Sequence, residues 1–493
     1  VLGGGRGTFN GGVDGAVRGR VILERGSEIN VSGKKGEITM ANGVNTQISR
    51  GAGSVSINTA DGFVVAGTLV ANRPDESVAG GQFYASVSRE GKTDEFGSSL
   101  GGMAYPDVAE RRIDVLAKAD DITDNLKQGY GRGVIGADTL NGSGFDRVHL
   151  RADQAIGLTD GASIQAADRQ PAMRSVTLNT RAIDVSGSGQ RLVQASHVAL
   201  GDVDLKGLQG GNAVVETASA SGTSDLRVNA GLIEVHGHSA IRGAQSTTLD
   251  ATLSATHQVG SRRDGEIRFV GRALSSGEQN KLTGKLNFEN DLTLRAGQVY
   301  ATTLSEFKVE GRADQSSLSI EAPAKGSTSQ TPLSALAKLT LQAHDVVVKG
   351  VVRQPFGAIT IRSTEGVPHL VDGSELSVSG DGVKVPVGSM VNKTQWVYKT
   401  DGIAAGQAVD TSVQTVSILN GQSIDKGILV EGKGLKIDSQ SNLLAQAGGD
   451  LLTWEFQAGV GGSQDALAQP NVYAVLPGYT YDFAPHDTEI LNS

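Results

Sequence analysis

Residues 335–366 read ALAKLTLQAHDVVVKGVVRQPFGAITIRSTEG, and the fold turns on how that run is understood. Leu339-Thr340-Leu341 alternates apolar and polar side chains, as a strand with one buried face does. Val346-Val347-Val348 forms a second strand after the polar break at His344-Asp345. Gly350 and then Gln354-Pro355-Phe356-Gly357 supply bends, and Ile359-Thr360-Ile361 resumes the alternation. Leu339 and Leu341 each stand twenty positions before an isoleucine, Ile359 and Ile361. If each such unit is one turn of a coil, the aliphatics stack and the backbones pair in a parallel ladder at ~4.8 Å per layer. The expected fold is therefore all-β, a right-handed parallel β-helix (solenoid) with protruding loops and a more irregular C-terminal region.

Composition agrees with a thin, stacked core. Glycine is 67 of 493 residues, aromatics are 4%, and Val, Ile and Leu recur in short runs bounded by Gly, Asn, Asp and Ser, which argues against disorder. No Gly-X-Y period exists, so collagen is excluded. A formal charge of −9 argues against nucleic acid as a partner. No run approaches the ~18 apolar residues of a transmembrane helix. The start, VLGGGRGTFN, has neither an initiator Met nor a charged segment followed by an apolar one, so an internal or processed fragment without a signal peptide is expected. The chain has no cysteine, which removes thiol chemistry and suits a protein that crosses a periplasm unfolded.

Along the chain, Val21-Ile22-Leu23, Ile29-Asn30-Val31, Glu37-Ile38-Thr39, Val55-Ser56-Ile57 and Phe63-Val64-Val65 read as strands, with turns at Gly26-Ser27, Gly33-Lys34-Lys35-Gly36 and Asp61-Gly62. Residues 73–102 are polar and Gly-rich and read as a loop leaving the coil. Residues 109–125 have helical propensity, but Ile113-Asp114-Val115 favours a strand. From 176 onward Val176/Leu178 is matched by Val198/Leu200, and Ile183/Val185 by Val203/Leu205. After an interruption at 207–224, Leu226/Val228 and Ile233/Val235 resume the same pair, and Thr247/Leu249 follows. Residues 321–334 read as an exposed linker. After Gly366 the period weakens, with Val383-Lys384-Val385-Pro386 and Trp396-Val397-Tyr398 as irregular strands. Trp454, Phe456, Tyr473, Tyr479, Tyr481 and Phe483 suit a terminal cap. The regions expected are 1–285 as β-helix coils with loop insertions, 286–380 as β-helix carrying the motifs quoted below, and 381–493 as an irregular β C-terminal region that suits a cap. About twenty coils, a rod on the order of 100 Å, follow from that count. The segments 73–102 and 321–334 are then the expected contact sites.

Candidate chemistry is sparse. Gly131-Arg132-Gly133-Val134-Ile135-Gly136 matches GxGxxG, but a dinucleotide site needs a strand before it and a helix after it, and neither is expected here. With so many glycines a chance match is the better reading. His236-Gly237-His238, helped by Glu234, puts two imidazoles on one side of a strand, yet no third ligand is suggested by spacing. Asp120-Asp121 with Asp124 could bind Ca²⁺ or pair as glycosidase carboxylates, against the simpler reading of a solvated turn. Galacturonase-like β-helices carry Asn-Thr-Asp, Asp-Asp, Gly-His-Gly and Arg-Ile-Lys; this chain has the Asp-Asp, Gly237-His238-Ser239 in place of Gly-His-Gly, and no Arg-Ile-Lys. Asn141-Gly142-Ser143 and Asn392-Lys393-Thr394 match the glycosylation pattern and read as coincidence in turns. No catalytic, cofactor-binding or metal-binding residue is assigned, and no cofactor is expected.

A family resemblance lies in the last 200 or so residues. It rests on DLTLRAGQVY at 291–300, Pro332-Leu333-Ser334-Ala335 leading into 339–361, and Gly448-Gly449-Asp450-Leu451-Leu452. It continues through GVGGSQD at 459–465, YAVLPGY at 473–479 and Ala484-Pro485-His486-Asp487. These resemble, in order, the C-terminal part of very long members of the filamentous haemagglutinin family, the exoproteins of two-partner secretion. The first 285 residues are similar only in composition and period. The resemblance implies a Gram-negative protein, secreted or at the cell surface, that passes an outer-membrane two-partner secretion transporter. It implies adhesion, aggregation, biofilm or cell contact, with a host or bacterial surface receptor or glycan as partner, and no catalytic residue. Unlike a complete member, the sequence has no signal peptide or N-terminal secretion domain. The rival expectations are a polysaccharide lyase or hydrolase and a passive stalk.

Overall fold

The computed structural model describes residues 2–4, 20–41, 43–59, 61–88, 111–129, 131–166, 173–203, 223–253, 265–273, 282–323, 331–391, 395–397 and 426–455. The described chain is mostly β, and three long sheets hold most of its strands: sheet I with 12, sheet II with 13 and sheet III with 9. Every pairing along the three paths is parallel, and the single antiparallel partner on sheet II is Arg272–Ala273. No described helix is long and apolar enough to cross a membrane.

One circuit shows how the chain builds these sheets. Ser175–Asn179 lies on sheet I, Ala182–Val185 on sheet II and Ser188–Gln194 on sheet III, and His197–Gly201 returns to sheet I beside the first strand. Each strand is short because each face is narrow, and short β-branched runs with turn residues between them suit that geometry. On sheet I, Val176 and Leu178 pair with Val198 and Leu200, which pair in turn with Ile233 and Val235. The column continues through Ile267 and Phe269 to Val299 and Ala301. On sheet II, Leu339 lies between Phe307 and Ile359, and Leu341 between Val309 and Ile361, in the register expected from the twenty-residue spacing. Aliphatics of all three sheets join one buried cluster that runs from Leu23 to Val378. Burying each Leu, Ile or Val contributes about 1.5–3 kcal/mol, so the stack is held by many similar increments.

Several expectations are corrected. Ile183 pairs with Ile241, not Val203, because the chain misses sheet II in the circuit after His197–Gly201. Val203 instead packs on Ala199 outside any strand, and Leu205 lies outside the described residues. Leu226 and Val228 belong to sheet III beside Arg191 and Val193, so it is Ile233/Val235 that continues the Val176/Leu178 column. Thr247/Leu249 does stack on Leu226/Val228. The segment 73–102 is not simply a loop: Gly81–Val87 pairs with Ser54–Thr59 and Phe145–Ala152, with Phe83, Ala85 and Val87 buried. Gly33-Lys34-Lys35-Gly36 is not a turn, since Lys34–Thr39 pairs antiparallel with Asn45–Arg50 in an exposed hairpin. Within 321–334, Glu321 is in a strand and Ser334 is buried, while 324–330 lie outside the described residues. The strand at Ile113-Asp114-Val115 is present.

After Gly366 the sheets continue. Lys384–Val391, Gln395–Val397 and Asp450–Glu455 form a separate three-stranded sheet. Gly427–Glu431, Lys436–Ile437 and Asn442–Leu444 then add last strands to sheets II, III and I. The expected cap residues Phe456, Tyr473, Tyr479, Tyr481 and Phe483 lie outside the described residues. Twelve strands along sheet I, at ~4.8 Å per step, give roughly 50–60 Å. Among the described residues that is about half the length expected, because the side sheet and the hairpin at 34–50 take up chain without adding layers.

Two irregularities matter. The helix Ala137–Gly142 buries Ala137 and Leu140 and packs between Thr68–Val70 and the first strand of sheet III, Ser163–Ile164. Asn141 fixes it there, donating to the Ser163 carbonyl at 2.7 Å and accepting from the Gln165 N–H at 2.9 Å. A helical turn thus stands where a strand is due. Arg132–Gly136 pairs with Gly62–Val65 on one side and Arg112–Leu116 on the other, so two sheet II strands sit in inverted chain order.

Candidate functional site

The side chains on the second face of sheet I form the densest buried polar group. In Leu232–His236, Ile233 and Val235 face the common core while Glu234 and His236 face away, yet all five residues are buried. The same holds for Glu266–Val270, where Glu266 and Arg268 alternate with Ile267 and Phe269. Register then places Ala199, Glu234, Arg268 and Tyr300 side by side on successive strands, with His197, Leu232, Glu266 and Gln298 in the neighbouring row. A parallel stack repeats each position about 4.8 Å away, which is how residues so distant in sequence meet.

Their contacts form one network. His197 Nε2 lies 3.1 Å from Glu234 Oε2, and His236 Nε2 lies 3.6 Å from the same oxygen, beyond hydrogen-bond range. Arg268 Nη1 is 3.5 Å from Glu234 Oε1. Arg268 donates from Nε and Nη2 to Glu266 Oε2 at 3.0 and 2.8 Å. Glu266 also accepts from Tyr300 Oη at 2.6 Å and Gln298 Nε2 at 2.7 Å. Arg353 links Gln298 to Glu375, at 3.2 and 2.8 Å. Burial opposes charge on Glu234, but His197 and His236 outweigh it and hold the carboxyl well below the usual carboxylate range. Burial pushes His236 down, against the pull of Glu234.

Glu234 is thus an ionised acceptor, and Glu266 is a second acceptor within the same buried network. A general acid needs a raised carboxyl pKa and access to a substrate, and Glu234 has neither. The network's evident work is to satisfy polar groups on a face buried on both sides.

Acidification tests it. The stability that Glu234 supplies through its depressed pKa is present above the unfolded carboxylate value and is lost as pH falls through the folded one. His236, also depressed, destabilises the fold once pH drops below the unfolded histidine value, because the unfolded chain takes up the proton first. The urea midpoint should therefore fall from pH 7.5 to 5.0, and His236→Gln should flatten part of that fall. A midpoint independent of pH over that range rules out the His236 contribution; the Glu234 contribution is read below the unfolded carboxylate value.

Sheets II and III carry more open charge ladders. Asp114, 2% exposed, receives Arg132 and, at 2.9 Å, Arg112. Arg112 also reaches within 3.5 Å of Asp184, which Arg242 holds at 2.6 and 2.9 Å. Gly157 separates the two aspartates in register, and a Cβ there would stand 2.7 Å from the Arg112 guanidinium. On sheet III, Asp250, Arg295, Glu321 and Lys349 lie in one row of alternating charge. Such rows tie adjacent strands together.

The residues singled out by sequence fare differently. Gly131 to Gly136 is not a phosphate-binding loop: Arg132–Gly136 is a strand, and Gly133 is small because a Cβ would stand 2.5 Å from the Phe63 ring. A helix does follow the motif, contrary to expectation, but it has six residues and fills a strand position. His236 and His238 are not on one strand face; Gly237, at φ 53°, turns the chain from sheet I to sheet II between them. His238 meets Thr283 Oγ1 at 3.2 Å instead. No group of three or more His, Asp or Glu able to hold a metal occurs among the described residues. Asp120 and Asp121 lie in an exposed 3-10 turn before Asp124–Gln128, and Asp120 Oδ1 is 3.8 Å from Arg25. Asn141 is engaged by its hydrogen bonds and Ser143 is buried, so that sequon is structural. The Asn392 sequon lies outside the described residues. Sequence reading took Glu234 only as a helper of the His236/His238 pair and passed over Glu266 and Arg268, although charges inside the runs LIEVH and EIRFV were a signal that both faces are buried.

Comparison with protein-family models, curated proteins and solved structures finds no match to this chain.

Proposed function

We propose that the three sheets are the faces of a right-handed parallel β-helix, and that the chain is a non-enzymatic rod segment of a filamentous-haemagglutinin-type exoprotein. Its place is outside the cell, and its role is adhesion, aggregation or cell contact. The observation that carries this reading is the continuous apolar cluster from Leu23 to Val378 shared by three parallel sheets. Long reach and a repeated exterior are what such a stack offers, and weak contacts repeated along it sum by avidity. The resembling stretch 291–300 supports it, since Asp291–Arg295 and Gln298–Ala301 are consecutive strands of the stack. A two-partner secretion transporter for the parent protein, and a surface receptor or glycan for the rod, follow as partners.

Saturable binding of the purified, folded chain to intact host or bacterial cells is the test. Binding that unlabelled protein competes away is expected. Absence of binding by protein with intact circular dichroism and cooperative unfolding makes the segment a spacer.

A further inference from the structure

One hairpin stands off the stack. Lys34–Thr39 pairs antiparallel with Asn45–Arg50, and the Met40 N–H donates to the Val44 carbonyl at 2.8 Å across the closing turn, where Gly43 sits at φ 80°. Its roots are fixed by the main chain: the Gly33 N–H donates to the Asn72 carbonyl at 2.9 Å and the Ala52 N–H to the Ala79 carbonyl at 3.2 Å. Both joints need glycine. A Cβ on Gly33 would stand 2.2 Å from the Arg50 carbonyl oxygen, and one on Gly51 2.6 Å from that of Ala79. The hairpin is thus held in a set direction.

Its two faces differ. Opposed residues of a hairpin share a face, and successive residues alternate between faces. Lys35, Glu37, Thr39, Asn45, Gln47 and Ser49 therefore lie on one face, and that face meets the body of the stack. Asp75 accepts from Ser49 Oγ at 2.6 Å and lies 3.1 Å from Lys35 Nζ. Ile38, Met40, Val44 and Ile48 lie on the opposite face, with Lys34 and Arg50 paired across its root. Ile38, Met40 and Val44 are 42%, 47% and 55% exposed. Lys34 and Arg50 are exposed too, and among the described residues no carboxylate pairs with either. The one acid of the hairpin, Glu37, lies on the other face.

We propose that this outer face binds a lipid bilayer with anionic headgroups, the hairpin lying in the interface. Laid flat, the aliphatic half sinks to the boundary between headgroups and acyl chains, as the apolar face of an interfacial segment does. Lys34 and Arg50, on stems long enough to reach sideways, meet the phosphates at its margin. An apolar patch edged by cations and free of acid is complementary to that boundary. A two-stranded ribbon offers no concave surface of its own to seat a protein side chain or a sugar ring, which favours lipid over either. The chain as a whole carries −9, so net charge does not draw it to such a surface. The attraction is local to the hairpin, within a screening length of ~10 Å. The inference stands on the hairpin alone and holds whether the rod is an adhesin or a spacer.

Partition of the 493-residue chain onto vesicles tests it, with phosphatidylcholine alone set against phosphatidylcholine mixed with phosphatidylglycerol. Co-sedimentation should show binding to the mixed vesicles that weakens as salt rises. Lys34→Ser and Arg50→Ser should each weaken it about five-fold, while Lys34→Arg leaves it unchanged. Met40→Ser with Val44→Ser should abolish it. Relative to the parent chain, Val44→Trp should add fluorescence that shifts to the blue on binding and is quenched by brominated acyl chains. Gln47→Trp, on the face toward the body, should do neither. All these positions are exposed or half-buried, so thermal unfolding should not move. No partition onto mixed vesicles, equal partition onto both kinds, or equal quenching of the two tryptophan variants overturns the proposal. So does vesicle binding that survives Met40→Ser with Val44→Ser; if that variant loses only its binding to cells, the face belongs to a protein partner.

Discussion

Leu341→Asp is expected to unfold the middle of the stack. Leu341 is fully buried, with Val309 in the layer on one side and Ile361 on the other. Truncating a buried leucine costs about 2–5 kcal/mol. A carboxyl adds its own desolvation, because no polar partner occupies an aliphatic column. The sum, about 5 kcal/mol or more, reaches the lower range of a whole domain's stability. Thr340→Asp is the control, since Thr340 alternates to the other face and is only half-buried. That change should cost about 0.5 kcal/mol or less. Urea unfolding followed by circular dichroism should separate the two variants widely. Equal midpoints would refute the register that puts Leu341 inside.

Glu266→Ala should be the most damaging polar change, at about 3–5 kcal/mol. It strips the acceptor from Arg268, from Gln298 Nε2 and from Tyr300 Oη at once, and Arg268 is 1% exposed. A buried guanidinium deprived of its bidentate carboxylate carries most of that cost. Two comparisons sharpen the test. Glu321→Ala removes a similar partner from Arg295, but with its side chain 25% exposed it should cost under about 1 kcal/mol. The double change Glu266→Leu with Arg268→Met removes both charges and keeps volume, and should recover much of the loss. If the double variant is as unstable as the single one, packing and not charge governs this face.

How much of this was legible in the sequence depends on what each residue answers to. Leu339, Leu341, Ile359 and Ile361 were placed correctly because the spacing of twenty reflects one uninterrupted circuit. Ile183 was matched to the wrong partner because Ala182–Val185 pairs directly with His238–Arg242, so the apolar pair Val203/Leu205 that repeats the local spacing is not the next sheet II strand. Gly81–Val87 was lost among glycines and polar residues, although Phe83, Ala85 and Val87 alternate inward as any strand of the stack does. The buried network was unreadable for a different reason. Glu234, Arg268 and Tyr300 lie more than thirty residues apart and meet only through register, which no local pattern encodes. Gly133 was noticed for a motif and is explained by the ring of Phe63.

The inverted order of Arg112–Leu116 and Arg132–Gly136 bears on how the molecule assembles in time. A stack wound one layer after another, from either terminus, could add every other strand in turn. At this point it cannot: the later segment must enter between Gly62–Val65 and the earlier one. Arg112–Leu116 therefore cannot settle on its predecessor, and must wait until the next segment is in place. Layers on each side of this joint can consolidate separately, and their union, needing a strand inserted between them, becomes a slow late event.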